Sequence, residues 1–148
     1  MGLLVVYDST YGNTEKIAKT AGDSVGAKVI RASDVNASDL NAVDLIIVGS
    51  PTLGGRPTLT VQTFLVKYLA RFKGMDVAAF DTRLPAKWVR VFGYAANKIS
   101  DGLKKSGGNP VVPPAGFFVK GREGPLKDGE IERAAVWAKA IAENRKAG

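Results

Sequence analysis

Seven residues near the start of the chain, Asp8-Ser9-Thr10-Tyr11-Gly12-Asn13-Thr14, gather hydroxyls, an amide and a glycine in one short stretch. They follow the apolar run Leu3-Leu4-Val5-Val6-Tyr7 and precede the helix-forming Glu15-Lys16-Ile17-Ala18-Lys19. A buried strand that ends in such a turn and opens a helix aims free backbone N–H groups and the positive end of a helix dipole at one point. That arrangement suits a phosphate. Ser9, Thr10 and Thr14 add hydroxyl donors, and Gly12 lets the backbone approach a bulky anion. The stretch holds no lysine and lacks the GxxxxGK spacing of a nucleoside-triphosphate loop. The GxGxxG dinucleotide pattern is missing too.

A second candidate segment is Gly49-Ser50-Pro51-Thr52-Leu53-Gly54-Gly55-Arg56-Pro57, which follows the apolar run Leu45-Ile46-Ile47-Val48. Its prolines and glycines make a shaped turn with N–H groups free to point at a ligand. A third, Asp81-Thr82-Arg83-Leu84-Pro85-Ala86-Lys87-Trp88, follows the run that ends at Phe80.

The elements that carry these loops alternate. Strands are expected at Leu3–Tyr7, Lys28–Arg31, Leu45–Val48, Asp76–Phe80 and within Pro110–Val119. Helices are expected at Asn13–Val25, Leu59–Ala70, Val89–Lys105 and Asp128–Asn144. Their inward faces are Ile17, Ala18, Ala21 and Val25; Val61, Phe64, Leu65, Tyr68 and Leu69; Phe92, Ala96, Ile99 and Leu103; and Ile131, Ala134, Ala135, Ala138, Ile141 and Ala142. Gly107-Gly108 stops the third helix. This alternation predicts a three-layer α/β/α sandwich with a five-stranded parallel sheet, in one domain over 1–148. A dinucleotide-type strand order and the order 2-1-3-4-5 both fit. In either, ligands bind beyond the carboxyl ends of the strands, where all three loops fall.

Composition narrows the chemistry. The 148 residues contain no cysteine and no histidine. Disulfides, thiolate nucleophiles, cysteine-ligated clusters and a serine–histidine triad are excluded. Any redox chemistry must come from a bound organic cofactor. No apolar run approaches a membrane span of about 18 residues, and no secretory leader is evident. The expectation is a cytoplasmic protein without a membrane partner. The net charge is +7, but the basic residues are scattered, with Lys104-Lys105 and Arg145-Lys146 the only adjacent pairs. A solvated basic surface fits better than a nucleic-acid site. Trp137 lies among alanines and reads as packing, and Gly121-Arg122-Glu123-Gly124-Pro125-Leu126 reads as a connection into the last helix.

Ser9-Thr10-Tyr11-Gly12-Asn13-Thr14 resembles the phosphate loop of flavodoxins, Ser/Thr-x-Thr-Gly-x-Thr, with Tyr11 in place of one Thr, as in related quinone reductases. The resemblance extends over nearly the whole chain and implies the 2-1-3-4-5 order of the short-chain form, with FMN as cofactor at the switch point between the first and third strands. It implies that Ser9, Thr10, Tyr11, Gly12, Asn13 and Thr14 hold the phosphate. Gly49-Ser50-Pro51-Thr52 is similar to the second, ring-contacting loop, especially that of FMN-dependent quinone reductases. By this likeness Ser50, Pro51, Thr52, Leu53 and Gly54 contact the ring edge or ribityl chain. Leu53 stands where many flavodoxins carry a stacking aromatic. In the third loop the resemblance brings Asp81, Thr82 and Arg83 to the pyrimidine side of the ring, with Trp88 the sole aromatic candidate. A positive Arg83 near N1 would raise the reduction potential; alternatively Arg83 pairs with Asp81 on the surface. Asp8 is expected to point away from the phosphate.

Three functions follow from this likeness. The first is an electron-transfer flavoprotein that serves a redox partner protein of acidic character, as a monomer or weak homodimer, without a catalytic residue or metal of its own. The second is an FMN-dependent NAD(P)H:quinone-type oxidoreductase. The third is a flavodoxin-fold binding module without flavin. A phospho-acceptor response regulator needs an acidic cluster after the first strand and an aspartate ending the third; Gly49 and Ser50 stand there instead.

Overall fold

The structure is a computed structural model that describes residues 2–85 and 94–145. Strand β1 (Gly2–Tyr7) carries apolar residues on both faces, and its last four positions are buried. Leu4 and Val6 join one core while Val5 and Tyr7 join the other, as the two-residue period of a strand requires. A strand buried on both sides belongs in the middle of a helix-covered sheet. β1 accordingly pairs in parallel with both β2 (Lys28–Arg31) and β3 (Val43–Pro51). β3 continues to β4 (Asp76–Arg83), with Val48 opposite Ala79 and Ser50 opposite Asp81. The order is 2-1-3-4-5, all parallel, which decides between the two expected arrangements.

The fifth position is divided. Two short segments, β5 (Asn109–Pro110) and β6 (Ala115–Phe118), pair with successive parts of β4. Pro113 and Pro114 lie between them. Prolines have no N–H to give to a ladder, so the strand is interrupted there.

Helices α2 (Leu59–Lys67) and α3 (Ala95–Lys105) cover one face of the sheet through Val61, Phe64, Ile99 and Leu103. Helices α1 (Asn13–Val25) and α4 (Glu130–Glu143) cover the other through Ile17, Ala18, Ala134 and Ile141. The expected start of the third helix, with Trp88 and Phe92, falls outside the described residues.

Two inward assignments are corrected. Leu69 is exposed because α2 ends at Lys67 and a 3₁₀ turn over Leu69–Arg71 follows. Tyr68 faces inward as expected, and the change of pitch brings Phe72 inward in place of Leu69. Ile131 is also exposed, and its neighbour Glu130 is buried in its place. The Glu130 carboxylate accepts Phe118 N–H and pairs with Arg133, so a polar anchor takes the inward position at the start of α4. Trp137 packs edge-on against Phe80 and Phe117, a core role as expected.

Candidate cofactor site

Strands β1, β3, β4 and β6 all end on the same edge of the sheet, because parallel strands share direction. Their four following loops therefore meet there. They enclose a cavity of about 390 Å³. Of the expected residues, Thr10, Tyr11, Asn13, Thr14, Pro51, Thr52, Leu53, Gly54, Thr82 and Arg83 line it. Ser9, Gly12, Ser50 and Asp81 stand behind the wall, where they shape the loops.

The first loop is built around Ser9. Its Oγ accepts Gly12 N–H at 3.0 Å and Glu15 N–H at 3.3 Å, while Lys16 N–H returns to Gly12 O. Gly12 has φ 93°, a left-handed conformation that glycine adopts without strain. These bonds leave the Asn13 and Thr14 amides, first in α1, as the open donors of the helix terminus. Asp8 turns away from them. Its carboxylate accepts Ser9 N–H and meets the Arg31 guanidinium at 3.1 Å. Arg31 also donates to Ser9 O and lies over the Tyr7 ring. The loop's own negative charge is thus balanced from β2. Beside it, Tyr7 O–H donates to Glu15 at 2.7 Å. Burial first, and then that bond, raises the Tyr7 phenol above its usual range.

The second loop closes as a two-residue hairpin. Leu53 and Arg56 exchange backbone bonds, and Gly54 and Gly55 both have positive φ, 57° and 80°. A type I′ turn needs that sign at both central positions, which is why two glycines occur together. Leu53 is half exposed on the cavity side, as is Tyr11 across from it in the first loop. Ser50 is fully buried; its Oγ accepts Thr58 N–H.

The segment expected as the third loop begins inside β4, which runs on through Arg83 instead of ending at Phe80; there Asp81 is fully buried and holds Arg83 in a two-point pair, at 2.7 and 2.8 Å. It also accepts Ala96 N–H at 2.9 Å, a carboxylate at a helix start. The other face of the guanidinium lies on the Tyr94 ring, 3.5 Å from its centroid. Gly116 stands opposite Asp81 in the ladder, and a side chain there would overlap the guanidinium. The pair expected at the surface is in fact inside the protein, so Arg83 reaches the cavity with its charge already matched.

The loops are tied to one another. Thr14 and Thr82 share a hydroxyl hydrogen bond of 2.8 Å. Thr52 N–H donates to Thr82 O, and Ala95 N–H donates to Thr52 Oγ1. The Asn13 side chain donates to Glu123 O at 3.3 Å. The site is therefore preorganised.

Sequence reading missed Gly55, Leu84, Val119 and Arg122, which also line the cavity, and Tyr94 beneath Arg83. Arg122 was legible in principle: a Gly/Pro-rich turn after the last strand lies at the same strand ends as the other three. Trp88 lies outside the described residues. Among the described residues there is no cluster of side chains that could hold a metal ion, and no helix is long and apolar enough to cross a membrane.

The donor set fits a flat cofactor with a phosphate. One end offers open amides and hydroxyls, and the rest is walled by Tyr11, Pro51, Leu53, Leu84 and Val119. The family model described as Flavodoxin matches residues 5–137. A flavodoxin structure from the domain Archaea is 25% identical, with 97% of each chain covered and a TM-score of 0.81. Oxidised flavodoxin 2 from Bacillus cereus is 25% identical, covering 97% of this chain and 99% of that one, with a TM-score of 0.80. The solution structure of two-electron reduced flavodoxin from Megasphaera elsdenii, at 21% identity, covers 95% and 98% with a TM-score of 0.73, a likeness of fold. A search among curated proteins finds no match.

Proposed function

Since the chain belongs to the flavodoxin family, matched over residues 5–137, we propose that it binds FMN in the cavity at the strand ends and carries electrons to a partner protein. The observation that carries this reading is the meeting of the Asn13 and Thr14 amides with an apolar cleft lined by Tyr11 and Leu53. The amides and the Thr10 hydroxyl would hold the phosphate. Tyr11 and Leu53 would flank the ring, while the Gly54 turn and the Thr82 region would meet its polar edge. FMN, when bound, supplies reversible uptake of one or two electrons at its ring. The chain's part is to bind, orient and exclude water. Because Asp81 matches the Arg83 charge, the ring would meet a neutral pair instead of a free cation, and the reduced ring would gain less stabilisation than Arg83 alone suggests. The net charge of +7 favours an acidic partner through long-range attraction.

The test is a visible spectrum of the purified protein after incubation with FMN and removal of the excess. The expected result is a yellow protein with bands near about 370 and 450 nm, those of an oxidised flavin ring. A colourless protein that ignores added FMN would overturn the reading in favour of a binding module. Anaerobic bleaching of the bound flavin by NAD(P)H alone would replace the carrier role with that of a quinone-type oxidoreductase.

A further inference from the structure

We infer that Arg122 supplies the countercharge for the cofactor's phosphate, and so makes the site selective for a phosphorylated flavin over its dephosphorylated form. This rests on the FMN reading above. A phosphate monoester near neutral pH carries close to two negative charges, yet no cation stands in residues 8–14. Arg31, which touches this loop, is committed to Asp8 and Ser9 O. Among the described residues, the cavity wall holds two charged side chains, Arg83 and Arg122. Arg83 is bound at two points to Asp81 and covered by Tyr94. Arg122 is exposed and, among the described residues, has no ion pair or hydrogen bond from its guanidinium. Among the described residues it is the cavity-lining charge left free for a ligand.

The loop that carries Arg122 is placed for this role. A tight turn closes with Gly124 N–H on Gly121 O at 2.9 Å, and Lys120 N–H reaches Pro125 O at 2.8 Å. Val119 and Leu126 bridge at its base. The Asn13 side chain then ties this turn to the start of α1 through Glu123 O. Gly124 packs against the same amide so closely that a Cβ would come within 2.6 Å of Asn13 Oδ1. The backbone beside Arg122 is thereby tied to the helix end whose amides are open, and Asn13, Thr14 and Arg122 line the same cavity. A guanidinium offers a planar fork of donors that matches two phosphate oxygens at once, and charge-assisted bonds of this kind are the strong ones. The amides fix where the phosphate sits, and Arg122 balances its charge.

The experiment compares FMN with riboflavin, which has the same ring and no phosphate. Affinities are measured by quenching of flavin fluorescence at low and high salt, for the wild type, Arg122→Gln and Arg122→Lys. The expected result is a loss of about 10- to 100-fold in FMN affinity for R122Q, the range for one charge-assisted contact. Riboflavin affinity should stay within about twofold, and the salt dependence of FMN binding should flatten. R122K should fall between, since it keeps the charge but loses the fork. Equal losses for both flavins, or no change for either, would overturn the assignment. A thermal melt of each variant checks folding, which an exposed side chain should leave intact. A wild type that binds neither flavin refutes the FMN reading itself, a result distinct from the other two.

Discussion

Asp81→Asn alters one atom in the centre of the site and leaves the side chain's shape almost unchanged. Its consequences follow from the partners. Both Asp81 oxygens accept bonds from Arg83, at 2.7 and 2.8 Å, and Oδ2 also accepts Ala96 N–H at 2.9 Å. An asparagine has one acceptor and one NH₂ group, so in one orientation its NH₂ faces Arg83 Nε–H and in the other it faces both Arg83 Nη2 and Ala96 N–H, donor against donor. Arg83, with 13% of its side chain exposed, is left with an unmatched charge and little water. Removing one partner of a buried pair costs about 3–5 kcal/mol. For a chain of this size each kcal/mol lowers the melting temperature by roughly 2–4 °C. The expected drop is therefore about 6–20 °C, read by circular dichroism during heating and as a lower urea midpoint. The double variant Asp81→Leu, Arg83→Met removes both charges and should recover most of the loss, because apolar residues of similar volume often replace a buried pair at little cost. A D81N variant within about 1 kcal/mol of wild type would refute the reasoning, as would a double variant no more stable than the single one.

Two further outcomes are expected. Gly49 stands opposite Phe80 in the ladder, where a Cβ would overlap the ring; Phe80 is wedged against Phe117 and Trp137. Gly49→Ala should cost about 1–3 kcal/mol through overpacking, and an unchanged urea midpoint would contradict that geometry. The Glu130 carboxyl is held below the ordinary carboxylate range, chiefly by the Arg133 hydrogen bond, with burial opposing and Phe118 N–H assisting. A lowered folded value stabilises the protein above the unfolded value and loses that stability as pH falls through the folded one. The stability gap between wild type and Glu130→Gln should accordingly be full at pH 7 and close as pH drops below about 4.3; urea melts at pH 7, 5 and 3.5 check the sign, and a gap that widens toward acid would reverse it.

Much of the fold was written in local pattern. The first helix and second strand lie at the bounds that hydrophobic period and glycine punctuation set, because Gly26 ends α1 in the left-handed conformation. The second and fourth helices each gave one residue to the wrong side. Helical spacing alone could not show that the chain tightens after Lys67, or that Glu130 would be drawn inward by a backbone amide of another strand. The fifth strand was expected as one piece within Pro110–Val119; its division, with both pieces paired to β4, emerged only in the fold.

The residues of the loops were set by sequence: hydroxyls and a glycine before α1, and paired glycines where both turn positions need positive φ. These are local demands, and local chemistry reveals them. The partners of those residues were set by the three-dimensional fold. Asp8 is matched by Arg31 of β2, Arg83 is drawn inside by Asp81 and Tyr94, and the turn that carries Arg122 is tied to Asn13 through Glu123 O from more than a hundred residues away. Charge balance depends on distance in space and on access to water. Neither quantity exists until parallel strands bring their ends together.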